Sequence, residues 1–280
     1  MMRAGRAMFL DARQRSPVHP ASLLALPQAP QGPNGQVEVS VVLPCLNEAA
    51  GIGFCVEEAS TALAGMGMSG EILVVDNGSI DGSPEIAASL GARVVLEPKR
   101  GYGNAYLRGL AEAQGRYLVM GDADATYDLS ALPRFVRALQ DGADLVMGTR
   151  LKGEIARGAM PWLHRHVGNP VLTAIVNLRF GTGLSDIHCG MRSLTRDAYH
   201  RLRLRSPGME FASELIIEAA REGLAIEEIP IEYRRRRGGQ PKLRTWRDGW
   251  RHLRLILSRR PSGRTAPKEA ALPASLGEHA

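Results

Sequence analysis

Cysteine is scarce and scattered in this 280-residue sequence. The three that occur, Cys45, Cys55 and Cys189, form no Cys-x-x-Cys pair and stand near no histidine cluster of ligand spacing. That argues against a zinc site and a disulfide scaffold, and suits a reducing compartment. Aromatic residues are also few, at 5%, so the core is expected to be built from Leu, Val, Ile and Ala. No aromatic platform for stacked bases stands out, which weighs against nucleic-acid binding. No apolar stretch reaches the roughly 20 residues of a spanning helix. The basic opening, Met1 to Leu10, is cut by Asp11 and is too short for a secretory signal. Acidic excess is missing as well: the net charge is +6, with much of the basic surplus between Arg234 and Arg260. Such a segment can meet nucleic acid, an anionic membrane or anionic substrates.

What is present is a strand–helix alternation flanked by two aperiodic ends. Residues 1–36 carry Pro17, Pro20, Pro27, Pro30 and Pro33, and are expected to be a disordered leader; 261–280 is expected to be a disordered tail. Between them Val37–Leu43 reads as a β-branched buried strand stopped by Pro44, with Asn47 capping the helix that follows. Glu71–Val75, Ala92–Leu96, Arg116–Met120 and Asp144–Gly148 read as further strands, with helices after Ser83-Pro84, over Asn104–Gln114 and over Leu132–Leu139. This alternation predicts an α/β fold with a mostly parallel, Rossmann-like sheet, helices on both faces, in a single domain. Trp162–Phe180 reads as one or two amphipathic helices, Asp186–Arg192 as a polar loop, Glu210–Glu222 as a helix and Ala225–Ile231 as a last strand.

Ligands in such sheets bind beyond the carboxyl ends of the strands. Three of those ends carry polar clusters: Asn47-Glu48, Asp76-Asn77 and Asp122-Ala123-Asp124. Paired carboxylates at the buried end of a strand need a cationic partner. A hard divalent ion shared with a substrate's phosphates is one such partner, and an ordinary acidic turn with Asp128 capping the next helix is the plainer alternative.

Taken in order, Val42-Leu43-Pro44 with Asn47-Glu48, Val74-Val75-Asp76-Asn77-Gly78-Ser79 with Asp81-Gly82, Arg100-Gly101-Tyr102-Gly103-Asn104-Ala105, Gly121-Asp122-Ala123-Asp124, Gly148-Thr149-Arg150, Asp186 with Cys189-Gly190-Met191-Arg192, Glu214, and Arg236 with Gly239 and Lys242 form a set. The set resembles glycosyltransferase family 2, and within it the branch of dolichol- and polyprenol-phosphate hexosyltransferases, over residues 38–255 or so. The resemblance implies a glycosyltransferase A fold, a catalytic domain over 37–242, and an inverting, metal-dependent transfer of a hexose from a nucleoside-diphosphate sugar to a polyprenyl phosphate. It places Pro44, Leu46 and Glu48 against the nucleoside, and Asp76 on the base. Many relatives carry a second Asp where Asn77 stands, which leaves the base open between uracil and guanine. Asp122 and Asp124, with Ala123 between them, would bridge Mg2+ or Mn2+ to the diphosphate, and Arg150 and Arg192 would add contacts to phosphates. Arg236 and Lys242, six apart, fit an acceptor-phosphate pair, although Gln240-Pro241 departs from the family's usual residues there.

A lipid phosphate is already largely ionised at neutral pH, its second pKa being roughly 6, and needs no base. Were the acceptor a hydroxyl of a glycan or metabolite, the second enzymatic reading, Glu214 or Asp186 would be the first candidate base. A third reading is a non-catalytic nucleotide- or nucleic-acid-binding protein; Asp122, Asp124 and the ordered motifs argue against it. Over 243–260, Leu243, Trp246, Trp250, Leu253 and Leu257 recur at helical spacing among arginines. That is a basic amphipathic helix suited to an anionic membrane surface, or else a helix packed on the protein's own core. The protein is thus expected to be cytoplasmic and peripheral at the membrane face; its oligomeric state is not legible.

Overall fold

The computed structural model describes residues 36–239 and 245–261. The leader up to residue 35, the tail from residue 262, and Gln240, Pro241, Lys242, Leu243 and Arg244 lie outside the described residues. The elements run β1 (Val39–Cys45), α1 (Ala49–Met66), β2 (Gly70–Asp76), α2 (Ser83–Ser89), β3 (Arg93–Leu96), α3 (Tyr102–Glu112), β4 (Tyr117–Met120), α4 (Leu132–Gln140), β5 (Leu145–Ile155), α5 (Asn169–Phe180), β6 (Arg192–Thr195), α6 (Arg196–Arg201), α7 (Phe211–Arg221), β7 (Ile226–Tyr233) and α8 (Thr245–Ser258). A short 3-10 turn over Leu129–Ala131 precedes α4, and a π-helical turn over His164–Gly168 runs into α5.

The seven strands lie in the order β3-β2-β1-β4-β6-β5-β7. β1 pairs in parallel with both β2 and β4, and β2 with β3. β6 runs antiparallel between β4 and β5, joining the parallel half to the β5–β7 pair. The expected mostly parallel sheet is present, with this one reversal. The loop expected over Asp186–Arg192 delivers the chain into β6, whose Arg192, Ser193 and Leu194 are buried.

Side chains alternate across β1 as the period of a strand requires. Val39, Val41 and Leu43 face a core made with Ile52, Val56 and Leu63 of α1 and Phe135 and Val136 of α4. Val42, with Leu73 and Val75 of β2, faces the other core, made with Tyr106 and Leu110 of α3, Phe211 and Leu215 of α7, and Ile256 of α8. Covering both faces explains why the strands are continuous apolar runs; each fully buried Val or Leu contributes roughly 1.5–3 kcal/mol.

Two local expectations are corrected. Pro44 does not stop β1, which continues to Cys45. The N–H and C=O of Val42 face β4, since Gly121 donates to Val42 O at 3.2 Å. Pro44, two residues on, faces the same side, where β4 has already ended, so its missing N–H breaks no ladder bond. Asn47 does not cap α1 either. It sits at positive φ (54°), and its Oδ1 accepts instead from Ile80 N–H at 2.9 Å. The free amides at the start of α1 are met by the β2–α2 loop: Ser83 Oγ accepts from Glu48 N–H and Asp81 Oδ2 from Ala49 N–H, both at 2.9 Å.

Candidate active site

The sheet changes direction of growth at β1: β2 and β3 were added on one side, β4 on the other. The carboxyl ends flanking that switch are where a nucleotide binds in folds of this kind. Several contacts tie them together. Asn47 N–H donates to Ser79 Oγ at 2.9 Å, joining the ends of β1 and β2. Gly51, in the first turn of α1, packs on the Asp122–Asp124 turn so closely that an added Cβ would lie 2.8 Å from Ala123 O.

Asp76 closes its own turn: Oδ1 accepts from Ser79 N–H at 3.0 Å and Oδ2 from Gly78 N–H at 3.2 Å. Asn77 reaches the next loop instead. Its Nδ2 donates to Glu97 O and Lys99 O, and its Oδ1 accepts from Gly101 N–H at 2.7 Å. An Asp here could not donate those two bonds, which is a physical reason for the amide in this chain. The loop that it braces, Arg100-Gly101, takes Gly101 at φ 144°, a conformation that favours glycine, and leads Tyr102 into α3. Pro44 and Leu46 are half-buried beside Glu48, which is buried.

Asp122 and Asp124 leave β4 in the same turn with different surroundings. Asp124 Oδ1 accepts from Thr126 N–H (2.9 Å) and Thr126 Oγ1 (2.6 Å), and its Oδ2 is ion-paired with Arg236. Asp122 Oδ1 accepts from Tyr102 Oη at 3.2 Å, while Tyr106 Oη is held by Gly121 O at 2.9 Å. Burial, and then the charge of Asp124, push the Asp122 carboxyl up to about 7, against the downward pull of Arg192, Tyr102 and Arg236. Its second oxygen, Oδ2, faces Gly190, where an added Cβ would come within 2.7 Å. The missing side chain of Gly190 therefore makes a cradle that a Cβ would fill, at one oxygen of the carboxylate pair. An all-oxygen site with two carboxylates is the donor set of Mg2+ or Mn2+, which take their remaining ligands from phosphates and water. No cluster of three or more His, Cys, Asp or Glu suited to a metal occurs among the described residues, so the protein would supply these two carboxylates alone.

The remaining expected residues are partly elsewhere. Arg150, at the point where β5 leaves the core, makes a two-pronged pair with Asp186 (Nε to Oδ2 2.7 Å, Nη2 to Oδ1 2.8 Å) and lies over the Tyr233 ring. Burial alone would raise the Asp186 carboxyl, but Arg150 holds it below the ordinary range, which makes it a poor base. Arg192 is buried and donates to carbonyls, Cys189 O at 2.6 Å and Ala212 O at 3.4 Å. Neither guanidinium is open to a phosphate, contrary to expectation; both brace the Asp186–Arg192 loop. Glu214 is buried on α7. Its Oε2 accepts from Arg205 and Ser206 N–H, and its Oε1 pairs with Arg259, just past the end of α8, at 2.8 Å. That carboxylate serves as a tie between elements. Arg236 lies at the donor end, 2.8 Å from Glu48 as well as paired with Asp124. Lys242 is outside the described residues. Sequence reasoning placed Tyr102 within its motif set but gave no role to Tyr102, Tyr106 or Tyr127, although Tyr102 and Tyr106 stand four apart on one face of α3. Tyr127 Oη accepts from Gly190 N–H at 2.7 Å and so fixes the loop over Asp122.

The family model for Glycosyl transferase family 2 matches residues 40–203. The Low-salt glycan biosynthesis hexosyltransferase Agl6 of Haloferax volcanii is 48% identical over 224 residues, 80% of this chain but 54% of that relative, so the match spans about half of its length. The Dolichyl-phosphate hexose transferase of the same organism is 34% identical over 203 residues, 72% of this chain and 85% of the relative. Among solved structures, glucosyl-3-phosphoglycerate synthase from Mycobacterium tuberculosis, in complex with Mn2+, uridine diphosphate and glucosyl-3-phosphoglycerate, superposes with a TM-score of 0.63. It is 27% identical, covering 81% of this chain and 82% of that one.

Proposed function

The chain belongs to glycosyl transferase family 2, and we propose that it transfers a hexose from a nucleoside-diphosphate sugar to a polyprenyl phosphate, with inversion at the anomeric carbon. The observation that carries this reading is the meeting of Glu48, Asp122 and Asp124 at one switch point of the sheet, with the Gly190 cradle at Asp122 Oδ2. The Haloferax relative named a dolichyl-phosphate hexose transferase supports the acceptor class, and the one named a hexosyltransferase supports the transferred group.

In this reading Asp122 and Asp124 hold Mg2+ or Mn2+, whose chemistry is that of a Lewis acid taking up charge from the leaving diphosphate. Pro44, Leu46, Glu48 and the Asp76-Asn77 turn receive the nucleoside. Tyr102 orients Asp122, and Gly190 leaves room beside it. An ionised acceptor-phosphate oxygen forms the new bond to the anomeric carbon as the bond to the nucleoside diphosphate breaks on the opposite face. Because that oxygen carries its charge already, no side chain has to remove a proton. The engagement of Asp186 by Arg150 and of Glu214 by Arg259 accords with a site that uses no base.

A lipid acceptor has to be met at a membrane, and one face of the protein suits that. Trp162, Leu163, Val167, Val171 and Leu178, leading into and along α5, are exposed, as are Trp250 and Leu257 of α8. Arg179 donates to Leu257 O and Arg259 O, fastening the end of α5 to that of α8. No acid occurs between Ala156 and Ser185, and the one acid of α8, Asp248, is buried. Apolar side chains in an acid-free basic setting are the signature of an anionic lipid surface. No helix of the described residues is long and apolar enough to cross a membrane.

A second reading keeps the donor site with a hydroxyl acceptor, since the Mycobacterium tuberculosis neighbour is named for a glucosylated phosphoglycerate. Purified protein assayed with UDP- and GDP-hexoses against polyprenyl phosphate, phosphoglycerate and simple glycans, with Mn2+ or Mg2+, separates the two. Transfer to polyprenyl phosphate is expected; transfer to hydroxyl acceptors alone would sink the first reading.

A further inference from the structure

The segment that follows β7 lies across the candidate donor cleft. Arg234 N–H donates to Thr126 O at 2.7 Å and Arg237 N–H to Asp124 O at 3.2 Å, so Arg234–Arg237 runs along the acidic turn. The Arg234 guanidinium reaches Glu58 and Asp128, each at 2.8 Å, and that of Arg237 lies 3.7 Å from the Phe54 ring centre. Gly238 and Gly239 then pass so close to the start of α1 that added Cβ atoms would come 2.5 Å from Ala50 Cβ and 2.7 Å from Glu48 Oε2. Arg236 sits at the centre of this strap. Its Nη1 lies 2.8 and 3.0 Å from the two Glu48 oxygens, and its Nη2 is paired with Asp124 Oδ2.

That pairing has a consequence for any cation shared by Asp122 and Asp124. Asp124 Oδ1 already accepts two bonds from Thr126, and Oδ2 is held by Arg236. A divalent ion bridging the two aspartates has to take Asp124 Oδ2 from the guanidinium. Metal alone would strand a half-buried arginine with one carboxylate fewer. Metal arriving with a diphosphate gives it a new anionic partner, of the planar-fork kind that guanidinium binds well. We propose that Arg236 is the resident counter-ion of the donor cleft, displaced from Asp124 on to phosphate as the ligands enter, so that metal and nucleoside diphosphate bind cooperatively and the Arg234–Gly239 strap lifts. The proposal rests on the donor-site reading above. It does not depend on which acceptor is used.

The test is Mn2+ affinity, read from the electron paramagnetic resonance of free Mn2+, for the full chain alone and with UDP, GDP, inorganic phosphate or farnesyl phosphate. In the wild type a nucleoside diphosphate should tighten Mn2+ about tenfold or more, within the usual range of coupling between sites. In Arg236→Met, Mn2+ alone should bind about fivefold tighter and the enhancement by diphosphate should shrink by a similar factor, since coupling is reciprocal. Arg236→Lys keeps the charge but cannot span Glu48 and Asp124, so it should also bind Mn2+ alone more tightly; wild-type affinity in it would overturn the bridge. Enhancement by farnesyl phosphate or inorganic phosphate without any by UDP or GDP would overturn the assignment to the donor. Amide exchange at Arg234 and Arg237 should quicken on adding Mn2+ with UDP or GDP, and unchanged protection would overturn the lifting of the strap. Asp124→Asn is the control for the underlying site: undiminished Mn2+ binding there would remove the metal reading itself, whatever Arg236 does.

Discussion

Asp122 is a carboxylate kept in a place that does not suit its charge. Burial and Asp124 push it up to about 7, against an unfolded value near that of an ordinary Asp. A folded pKa raised above the unfolded one means that the stabilising contribution is complete at low pH and is lost as pH rises through about 7. Asp122→Asn should therefore stabilise the metal-free protein by a few kcal/mol at pH 8, less at pH 5, while weakening Mn2+ binding with nucleoside diphosphate by an order of magnitude or more. Urea unfolding at the two pH values and a Mn2+ titration check both halves. Gly190→Ala tests the cradle without touching charge. Its Cβ would meet Asp122 Oδ2 at 2.7 Å and the Tyr127 ring at 2.9 Å, so donor and Mn2+ affinity should fall about tenfold or more with the circular dichroism unchanged. The sequence showed Asp122 and Asp124 plainly, because two acids after an apolar strand stand out. It did not show the difference between them, which comes from Tyr102, Thr126 and Gly190 arriving from other elements.

Among elements, those buried on both faces were the most legible: β1, β2 and β4 announce themselves as apolar runs. β6 did not, since Arg192-Ser193-Leu194-Thr195 holds one aliphatic residue and its place depends on β4 and β5. The helix α8 was legible as amphipathic, but not what its inner face would meet. It docks on α7 through Arg251 with Glu210 (2.6 Å), the residue just before α7, and through Arg259, just past its own end, with Glu214 (2.8 Å), so the Glu214 carboxylate expected as a candidate base is spent on holding a helix. Between these pairs His252 Nδ1 lies 2.7 Å from Ser213 Oγ, which lies 3.3 Å from His188 Nε2. Burial pushes His252 down to about 4, further than Asp248 raises it. The unfolded chain then takes up a proton that the folded one refuses, so stability is complete above the unfolded pKa near 6.5 and is lost as pH falls toward 4. His252→Gln should reduce the loss between pH 7 and pH 5 by about 2 kcal/mol relative to wild type, read from urea midpoints. An equal loss in both proteins would show that the histidine is not buried neutral beneath α8.

At the scale of the whole molecule, the order of motifs along the chain carried the family and the fold, because three of them, at Asn47-Glu48, Asp76-Asn77 and Asp122-Ala123-Asp124, follow the ends of strands paired in parallel. The joining of α5 to α8 was not legible, since it runs through Arg179 and two backbone carbonyls 78 and 80 residues further along the chain. That joining sets the end of α5 beside the end of α8, each helix bearing exposed apolar side chains. A face of this kind should bind by two terms together: tryptophan and aliphatic burial, and attraction of about 1 kcal/mol for each basic residue near an anionic surface. The electrostatic part decays over a Debye length of about 8 Å at physiological salt and shorter at high salt. The protein should accordingly float with vesicles containing phosphatidylglycerol, float poorly with neutral phosphatidylcholine, and be released by high salt. Trp162 and Trp250 are 69% and 66% exposed, and Trp162 packs on His166. Replacing both by Glu should abolish flotation and cut transfer to long-chain polyprenyl phosphate in vesicles, while Mn2+ and nucleotide binding in solution stay as in wild type. If the double variant still floats on anionic vesicles, the two helices pack against something other than lipid.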